Sequence, residues 1–344
     1  MEENFLEIRL DLKEELKNFL NKDNQYTIPI FIPHKGCPNN CVFCNQKRIS
    51  GQMNEVTVED VDNTISKYLS YYTNSKKIEV AFFGGSFTGI DIEDQIKYLE
   101  VANKYVIDGR IDSIRISTRP DYITDEILEI MVKYNVKTIE LGVQSMNDDI
   151  LDYSKRGHTR EDVVKASNLI HKYGIRLGHQ IMVGLPNSTL EDEVYTIKEC
   201  LKLKPSQLRI YPVYVIEDSE LYDMYNLKVY KPLDIAEAVK RCIAVIDECR
   251  KTDVSIIRLG LQSTSEITAA NSHIYGPVSD NLAEYVLAGI VRKSIESKLP
   301  KDLKENIQVY VPKKYISITV GPKKVNKIYF ENKYNVKYVV KGES

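Results

Sequence analysis

The sequence predicts an α/β fold with a parallel sheet, on three observations. Short runs rich in β-branched residues alternate with amphipathic stretches over about 190 residues, and no Gly/Ser linker interrupts them. The composition, with 43% hydrophobic and 28% charged residues, is that of a globular chain and excludes disorder, collagen and coiled coil. Strand–helix units that repeat in this way form right-handed crossovers between parallel strands. The predicted strands are residues 27–33, 77–83, 113–118, 137–143, 175–184 and 208–214.

The stretches between these strands carry helix signals. Amphipathic segments occupy residues 58–72, 124–135, 160–174 and 190–203. A threonine that can serve as N-cap stands at the start of each one, namely Thr57, Thr124, Thr159 and Thr189. Gly174 lies where the third helix should end. Periodicity leaves open whether the sheet stays open or curls into a partial barrel, but in both cases functional residues gather at the C-terminal ends of the strands.

Beyond residue 214 the pattern changes. Residues 235–251 and 281–299 predict helices, and residues 255–261 fit one more strand. From Ile307 onward, β-branched residues and tyrosines broken by turns predict a small antiparallel sheet. The predicted organisation is an N-terminal helical segment, a core, and an accessory piece with a helix and a small sheet, at residues 1–24, 25–260 and 261–344.

Charge is distributed unevenly along the chain. The segment from Arg292 to Ser344 has 13 Lys/Arg against 5 Asp/Glu, whereas the preceding residues have 34 against 44. A basic end on an acidic body suits a nucleic-acid contact. It equally suits lysines that protect exposed strand edges against aggregation.

The sequence also bears on location. No apolar run approaches the ~20 residues that a membrane span needs, and the acidic N-terminus differs from a signal or transit peptide. Six cysteines in 344 residues are too few for a secreted disulfide scaffold. We therefore expect a cytoplasmic protein with no membrane partner.

Three of the six cysteines cluster in one loop after the first predicted strand. Cys37, Cys41 and Cys44 have the spacing C-x-x-x-C-x-x-C, which can hold one soft-metal centre. A structural zinc site needs four ligands, and the remaining cysteines are typical of helix cores; they are Cys200, Cys242 and Cys249. His34 is a candidate fourth ligand. A [4Fe–4S] cluster explains the count better because it leaves one iron open, with a zinc site or an unligated loop as alternatives.

The cysteine spacing resembles the signature of the radical S-adenosylmethionine (SAM) superfamily. Further segments at strand ends are similar to its Elongator catalytic-subunit branch and to short bacterial relatives; they are FFGGSFTGI, STRPDYI (117–123), IELGVQSMNDDIL (139–151), KRGHT (155–159) and GHQIMVGLP (178–186). The resemblance covers about residues 25–260 and implies a partial (βα)6 barrel with a small C-terminal α+β extension. No segment after residue 260 is long enough for the acetyltransferase domain of the Elongator subunit.

The resemblance also implies cofactors and their contacts. A [4Fe–4S] cluster held by the three cysteines would bind SAM through its methionine amino and carboxylate groups, with Phe43 shielding the cluster. An electron from the reduced cluster would then cleave SAM to a 5′-deoxyadenosyl radical. The residues matching the family's SAM contacts are Gly84, Gly85, Ser86, Ser117, Gln144, Arg156 and Gln180. The alternatives without a role in SAM binding are a simple turn for the glycine pair and a surface position for Arg156.

Three further residues are candidates for substrate contacts. Arg119 and Arg258 are strand-end cations available to an anionic or carbonyl-bearing group. Glu140 points either into the site or into a polar layer of the core, since strand alternation alone does not decide. His158 and His179 are expected to be structural histidines rather than proton carriers.

The substrate is the least determined feature. The acidic body attracts a polyanion poorly, so we favour a small molecule such as a modified nucleobase. The queuine lyase subgroup, which releases a 7-deazaguanine precursor, is one analogy. The alternative is action on tRNA itself, with the basic, tyrosine-rich tail as platform. Both require a low-potential electron donor. A third hypothesis is a non-catalytic metal-binding or redox-sensing protein.

Overall fold

A parallel sheet forms the centre of the molecule, as the sequence predicts. The computed structural model describes residues 4–20, 25–32, 37, 41–45, 56–72, 77–261 and 273–343. Within them, seven strands pair in parallel in chain order and curl into a half-barrel. These strands are β2 (Gln25–Phe31), β3 (Lys77–Phe83), β4 (Ser113–Thr118), β5 (Val136–Gln144), β6 (Arg176–Val183), β7 (Gln207–Pro212) and β9 (Ser255–Leu259). The six predicted strands are confirmed, and the segment 255–261 adds the seventh.

Short additional strands lie outside this sheet. They are β1 (Phe5–Arg9), β8 (Val215–Ile216), β10 (Ile274–Tyr275), β11 (Asn306–Pro312) and β12 (Tyr338–Glu343). The two-residue strands β8 and β10 pair antiparallel just beyond the C-terminal end of β7. They connect the predicted accessory piece with the core.

Helices follow most strands of the half-barrel. In the described residues they are α1 (Lys17–Leu20), α2 (Val58–Tyr71), α3 (Ile92–Ile107), α4 (Asp125–Lys133), α5 (Asp148–Tyr153), α6 (Arg160–Lys172), α7 (Leu190–Lys202), α8 (Glu220–Asn226), α9 (Ile235–Cys249), α10 (Leu282–Glu296), α11 (Ile316–Val320) and α12 (Val325–Tyr334). None of the helices in these ranges is long and apolar enough to cross a membrane.

The predicted helix signals are confirmed. Each of the four threonines accepts a hydrogen bond from a backbone N–H of the first turn that it caps. Three of them form complete capping boxes with an aspartate at the third helical position, at α2, α6 and α7. Gly174 directly follows the last cap residue of α6 and has φ +67°, a left-handed conformation that favours glycine.

The core lies between the sheet and its helices. Cys200 on α7 and Cys242 and Cys249 on α9 are fully buried within it. Burial raises the pKa of the Cys249 thiol to about 12, which keeps this sulfur protonated and inert. The prediction that these three cysteines belong to the core is confirmed.

The predicted antiparallel sheet at the C-terminus is wrong. β11 pairs in parallel with β1 on one side and with β12 on the other. Between β11 and β12 the chain forms α11 and α12 instead of a hairpin, and this crossover returns it in the parallel direction. Tertiary packing overrides the strand propensity of the segment ISITV, because helix α11 buries Thr319 completely.

The predicted N-terminal helical segment is also largely wrong. Residues 5–9 form β1, and only the four residues of α1 are helical within the described part of 1–24. Ile8, Leu10 and Leu12 are buried at every second position, which is the period of a strand rather than of a helix. Since β1 lies against β11, the first and last predicted pieces share one three-stranded sheet.

Candidate active site

A cavity of about 710 Å³ opens on the inner face of the half-barrel, and every strand of that sheet contributes to its lining. Strand register explains why the predicted residues meet here. Ser117 pairs with Glu140 and Gln180 pairs with Arg209, so their side chains leave the sheet on the same face. The predicted site residues that line the cavity are Cys37, Cys41, Cys44, Gly84, Gly85, Ser117, Arg119, Glu140, Gln144, Arg156, Gln180 and Arg258.

Ser86 is the exception, because it does not line the cavity. Its side chain is buried and lies 2.8 Å from the hydroxyl of Thr118. The Ser86 hydroxyl also accepts a hydrogen bond from the backbone N–H of Arg119 at 3.2 Å. Ser86 therefore links the loops that follow β3 and β4 and supports the site without lining the cavity.

The cysteine loop is held by contacts with two helical segments. The backbone N–H of Val42 donates to the carbonyl of Ser154, and the N–H of Leu221 donates to the carbonyl of Val42 at 2.7 Å. Asn45 donates from its side chain to the carbonyl of Glu217 at 3.0 Å. These contacts fix the loop at the C-terminal edge of the half-barrel.

Cys41 is buried and Cys37 and Cys44 are half-buried, while His34 lies outside the described residues. Nowhere in the described ranges do three or more His, Cys, Asp or Glu side chains group closely enough to hold a metal ion. The ligand role of the three cysteines therefore stays a prediction. All three cysteines line the same cavity, and cysteine is the residue type that binds iron–sulfur clusters.

Arg156 lines the cavity, so the alternative of a surface arginine is wrong. It is 7% exposed, and its Nη1 lies 3.3 Å from Sγ of Cys41. Its Nη2 donates to the carbonyl of Gly142 at 2.8 Å. A Cβ at Gly142 would lie 3.3 Å from this Nη2, so the glycine leaves room for the guanidinium.

Arg119 is bound to a neighbouring carboxylate. Its Nε and Nη2 donate to the two oxygens of Asp121 at 3.0 and 2.9 Å. Burial opposes the charged form, but Asp121 and the nearby Cys37 and Cys41 keep the pKa of Arg119 above its ordinary value. Its Nη1 is buried and has no hydrogen-bond partner in the described part of the chain.

Gly84 allows β2 and β3 to approach each other closely at the cavity. It has φ +94°, and a Cβ there would lie 2.6 Å from the carbonyl oxygen of Ile32. No side chain can therefore be accommodated without moving the backbone. The neighbouring Gly85 lines the cavity directly.

Two glutamines from adjacent strands meet on the cavity wall. Nε2 of Gln180 donates to Oε1 of Gln144 at 3.5 Å, the outer limit for a hydrogen bond. Gln144 follows an irregularity in the pairing of β5 with β6 and has φ +65°, which is rare outside glycine. Strained residues of this kind occur often at functional sites.

A buried ionic network forms part of the cavity wall. Glu140 accepts hydrogen bonds from Arg115 and from Nε of Arg209, the latter at 2.8 Å. Arg115 also donates to Glu79 at 2.6 Å. Burial alone raises the pKa of Glu140, but Arg209 and Arg115 outweigh it and hold that pKa below its ordinary value. Glu140 thus belongs to a polar layer of the core and also lines the site.

Arg209 is a cavity residue that sequence reasoning missed. Its guanidinium lies 5.2 Å from the ring centre of Phe83, and its Nη1 lies 3.4 Å from the hydroxyl of Tyr211. Strand alternation places Arg209 and Tyr211 on one face of the predicted strand 208–214. This alternation is the sequence signal that could have identified Arg209 as a site residue. Arg258, on the neighbouring β9, is half-buried and donates from Nε to the carbonyl of Gly260.

The two buried histidines have structural partners, as expected. His158 Nε2 lies 3.2 Å from the carbonyl of Val143, and His179 Nε2 lies 3.0 Å from the hydroxyl of Ser167. Burial lowers the pKa of each to about 3, so both are neutral near pH 7. Neither histidine lines the cavity.

Similarities to known proteins agree with this architecture. The tRNA uridine(34) acetyltransferase of Methanocaldococcus jannaschii is 35% identical over 186 residues, which are 48% of this chain and 34% of that protein. Elongator complex protein 3 of Homo sapiens is 32% identical over 165 residues, or 46% and 29%. The structure of Elp3 from Methanocaldococcus infernus with an N-terminal deletion aligns with a TM-score of 0.59 at 25% identity, over 83% of this chain and 65% of that one. The match spans about a third of the length of these two curated relatives.

Family models match most of the described half-barrel. Residues 31–200 match the Radical SAM superfamily, and residues 205–288 match the Radical_SAM C-terminal domain. The first match begins at the end of β2, just before the cysteine loop, and the second extends into α10. The chain therefore belongs to the radical SAM superfamily, whose members use a [4Fe–4S] cluster and SAM.

Proposed function

We propose that this protein reductively cleaves SAM at a [4Fe–4S] cluster bound by Cys37, Cys41 and Cys44. The observation that carries the proposal is that these cysteines share one cavity with all the predicted SAM contacts except Ser86. When bound, the cluster and SAM together supply a 5′-deoxyadenosyl radical, which removes a hydrogen atom from the substrate. The protein supplies orientation and a dry enclosure for this chemistry.

Different cavity residues have different roles in this proposed chemistry. Arg156 is positioned beside Cys41 to bind a carboxylate, and Gly85 offers backbone to the methionine end of SAM without a Cβ. Ser117, Gln144 and Gln180 offer polar groups along adjacent strand ends. Phe43, Phe31 and Phe83 are among the apolar residues that line the same cavity, and they exclude water around a reactive radical.

For the substrate, we favour a small nucleobase-type molecule. The cavity lies on the inner face of the half-barrel, and its substrate-facing candidates are Glu140, Arg119 and Arg258. The acidic balance of residues 1–291, with 34 Lys/Arg against 44 Asp/Glu, opposes binding of a polyanion. Lysis of queuine to a 7-deazaguanine precursor is the specific form of this proposal and rests on the sequence resemblance alone.

Modification of tRNA itself is the second candidate. Two observations favour it: one similar protein is a tRNA uridine(34) acetyltransferase, and residues 292–344 are strongly basic. Part of that basic charge is already paired within the chain, since Lys293 contacts Asp247 and Lys333 contacts Glu296. A non-catalytic metal-binding or redox-sensing role is disfavoured by membership of an enzyme superfamily.

Anaerobic reconstitution of the cluster followed by turnover tests the proposal. The reduced protein is incubated with SAM and with either free deazaguanine bases, queuine included, or total tRNA, and 5′-deoxyadenosine is measured. We expect its formation to rise with the free bases. Stimulation by tRNA alone would reverse the substrate preference, and absence of 5′-deoxyadenosine in every mixture would overturn the radical chemistry.

A further inference from the structure

Arg119 has a hydrogen-bond capacity that its contacts with Asp121 do not use. Two of its three nitrogens bind that carboxylate, and the third, Nη1, is buried without a partner in the described residues. The residue is only 2% exposed, so water cannot readily satisfy this nitrogen. The guanidinium of Arg119 is thus bound to one carboxylate and is otherwise enclosed by protein.

The surroundings of Arg119 relate it to the cysteines. Arg119 lines the same cavity as Cys37 and Cys41, and the electrostatic influence of these two residues helps to raise the pKa of Arg119. The backbone of Arg119 is also fixed, because its N–H donates to the hydroxyl of buried Ser86. Its guanidinium is thus a rigidly held cation in the wall of the cavity that also contains the cysteines assigned to the cluster by the proposed function.

We infer that Arg119, with Asp121 as its counter-ion, is a positioning residue that sets the reduction potential of the cluster. This inference rests on the proposed function, and it replaces the substrate contact expected for Arg119 from the sequence. One-electron reduction makes the cluster more negative by one charge. A fixed cation near the cluster stabilises that reduced form and raises the potential. Asp121 opposes this effect by partly neutralising the guanidinium.

The inference predicts effects of opposite sign at two adjacent side chains. Arg119→Met removes the cation and lowers the potential, whereas Asp121→Asn removes the counter-charge and raises it. Arg119→Lys retains the charge and stays close to wild type. A structural defect would not shift the potential upward in one variant and downward in the other. Arg160→Met is the matched control, because Arg160 pairs with Glu199 at the surface.

The test is a redox titration of the reconstituted full chain without SAM, followed by the electron paramagnetic resonance signal of the reduced cluster. At a fixed applied potential we expect the ratio of reduced to oxidised cluster to fall about tenfold in Arg119→Met, which is 59 mV for one electron. It should rise in Asp121→Asn. If Arg119→Met does not assemble a cluster, the upward shift predicted for Asp121→Asn decides, and Arg119→Lys should keep the wild-type potential.

Unchanged potentials in Arg119→Met and Asp121→Asn, or shifts of the same sign, would overturn the inference. Iron content and the signal of the wild-type protein report separately on the proposed function. If the wild-type chain binds no cluster, it is the cysteine assignment that fails. If the wild-type cluster forms and only the shifts are missing, the role of Arg119 fails.

Discussion

Nη1 of Arg156 lies 3.3 Å from Sγ of Cys41, although the two residues are 115 positions apart in the chain. The contact arises because the cysteine loop rests on the end of α5, where the N–H of Val42 donates to the carbonyl of Ser154. The same guanidinium donates to the carbonyl of Gly142 at 2.8 Å, so Arg156 links the buried Cys41 to the end of β5. Cys41 is therefore the cysteine whose environment is best defined for cluster binding.

Replacing Cys41 by alanine should abolish cluster binding and turnover together. The change removes one of the three proposed cluster ligands, so the reconstituted variant should contain little iron and form no 5′-deoxyadenosine. The matched control is Cys242→Ala, since Cys242 is fully buried in the core. We expect the control to keep its iron and to lose about 1 kcal/mol of unfolding free energy. Iron retained at the wild-type level in Cys41→Ala would refute the ligand assignment.

Gly84→Ala should destabilise the protein more than Gly109→Ala. Both glycines have positive φ, +94° and +68°, so each substitution incurs about 1–2 kcal/mol of left-handed strain. Only at Gly84 would the new Cβ also meet the Ile32 carbonyl, at 2.6 Å, whereas nothing lies within 4 Å at Gly109. We expect this contact to add about 1–3 kcal/mol. Urea denaturation measures the difference, and equal losses would contradict the close approach of β2 and β3.

Local signals in the sequence were sufficient for the half-barrel and for most of its site. Thr57, Thr159 and Thr189 are each followed three positions later by aspartate, and each forms the expected cap, because a cap depends on residues within one turn. The predicted site residues came together for a similar reason. In a parallel sheet the C-terminal strand ends share one edge, so position along a strand predicts position in space.

Pairings between distant segments could not be predicted in this way. β1 lies against β11, with Phe5 opposite Asn306, and no local pattern identifies a partner so far along the chain. Arg209 shows the same limit within the site. Its strand face was predictable, but the hydrogen bond that defines its role reaches Glu140, 69 positions away and across the intervening β6.

The buried histidines should make the protein less stable in mild acid. Because the folded-state pKa of His179 is about 3 and its ordinary value is 6.5, the unfolded chain binds the proton first as pH falls below 6.5. Above pH 6.5 the imidazole is neutral in both states, and its titration leaves stability unchanged. Below that value the unfolding free energy decreases by about 1.4 kcal/mol per pH unit until about pH 3. His158 should behave in the same way.

His179→Gln isolates this effect while keeping a group that can hydrogen-bond Ser167. Urea denaturation at several pH values between 5 and 7 gives the slope of unfolding free energy against pH. The slope of the variant should be smaller than that of the wild type by an amount that approaches about 1.4 kcal/mol per pH unit near pH 5, and the two slopes should converge above pH 6.5. Identical slopes would mean that His179 takes up its proton in the folded protein.

Glu140→Gln should destabilise the protein strongly at neutral pH. Glu140 is 3% exposed, and its carboxylate is shared by Arg115 and Arg209. Removing one partner of a buried ion pair leaves an uncompensated charge and costs about 3–5 kcal/mol. As a control, Glu161→Gln breaks an exposed pair with Lys165 and should change the unfolding free energy by less than about 1 kcal/mol.

The pH dependence of the difference in unfolding free energy between wild type and Glu140→Gln tests whether the charge of Glu140 causes that difference. The folded-state pKa of Glu140 lies below the ordinary value of 4.5, so its contribution is fully present above pH 4.5. It is lost as pH falls further through the folded-state pKa, because protonation then removes the charge that the two arginines need. The stability gap between wild type and Glu140→Gln should therefore be constant from pH 7 to about pH 5 and narrow below pH 4.5. A gap that stays constant down to pH 3 would assign the loss to packing or hydrogen bonding instead of charge.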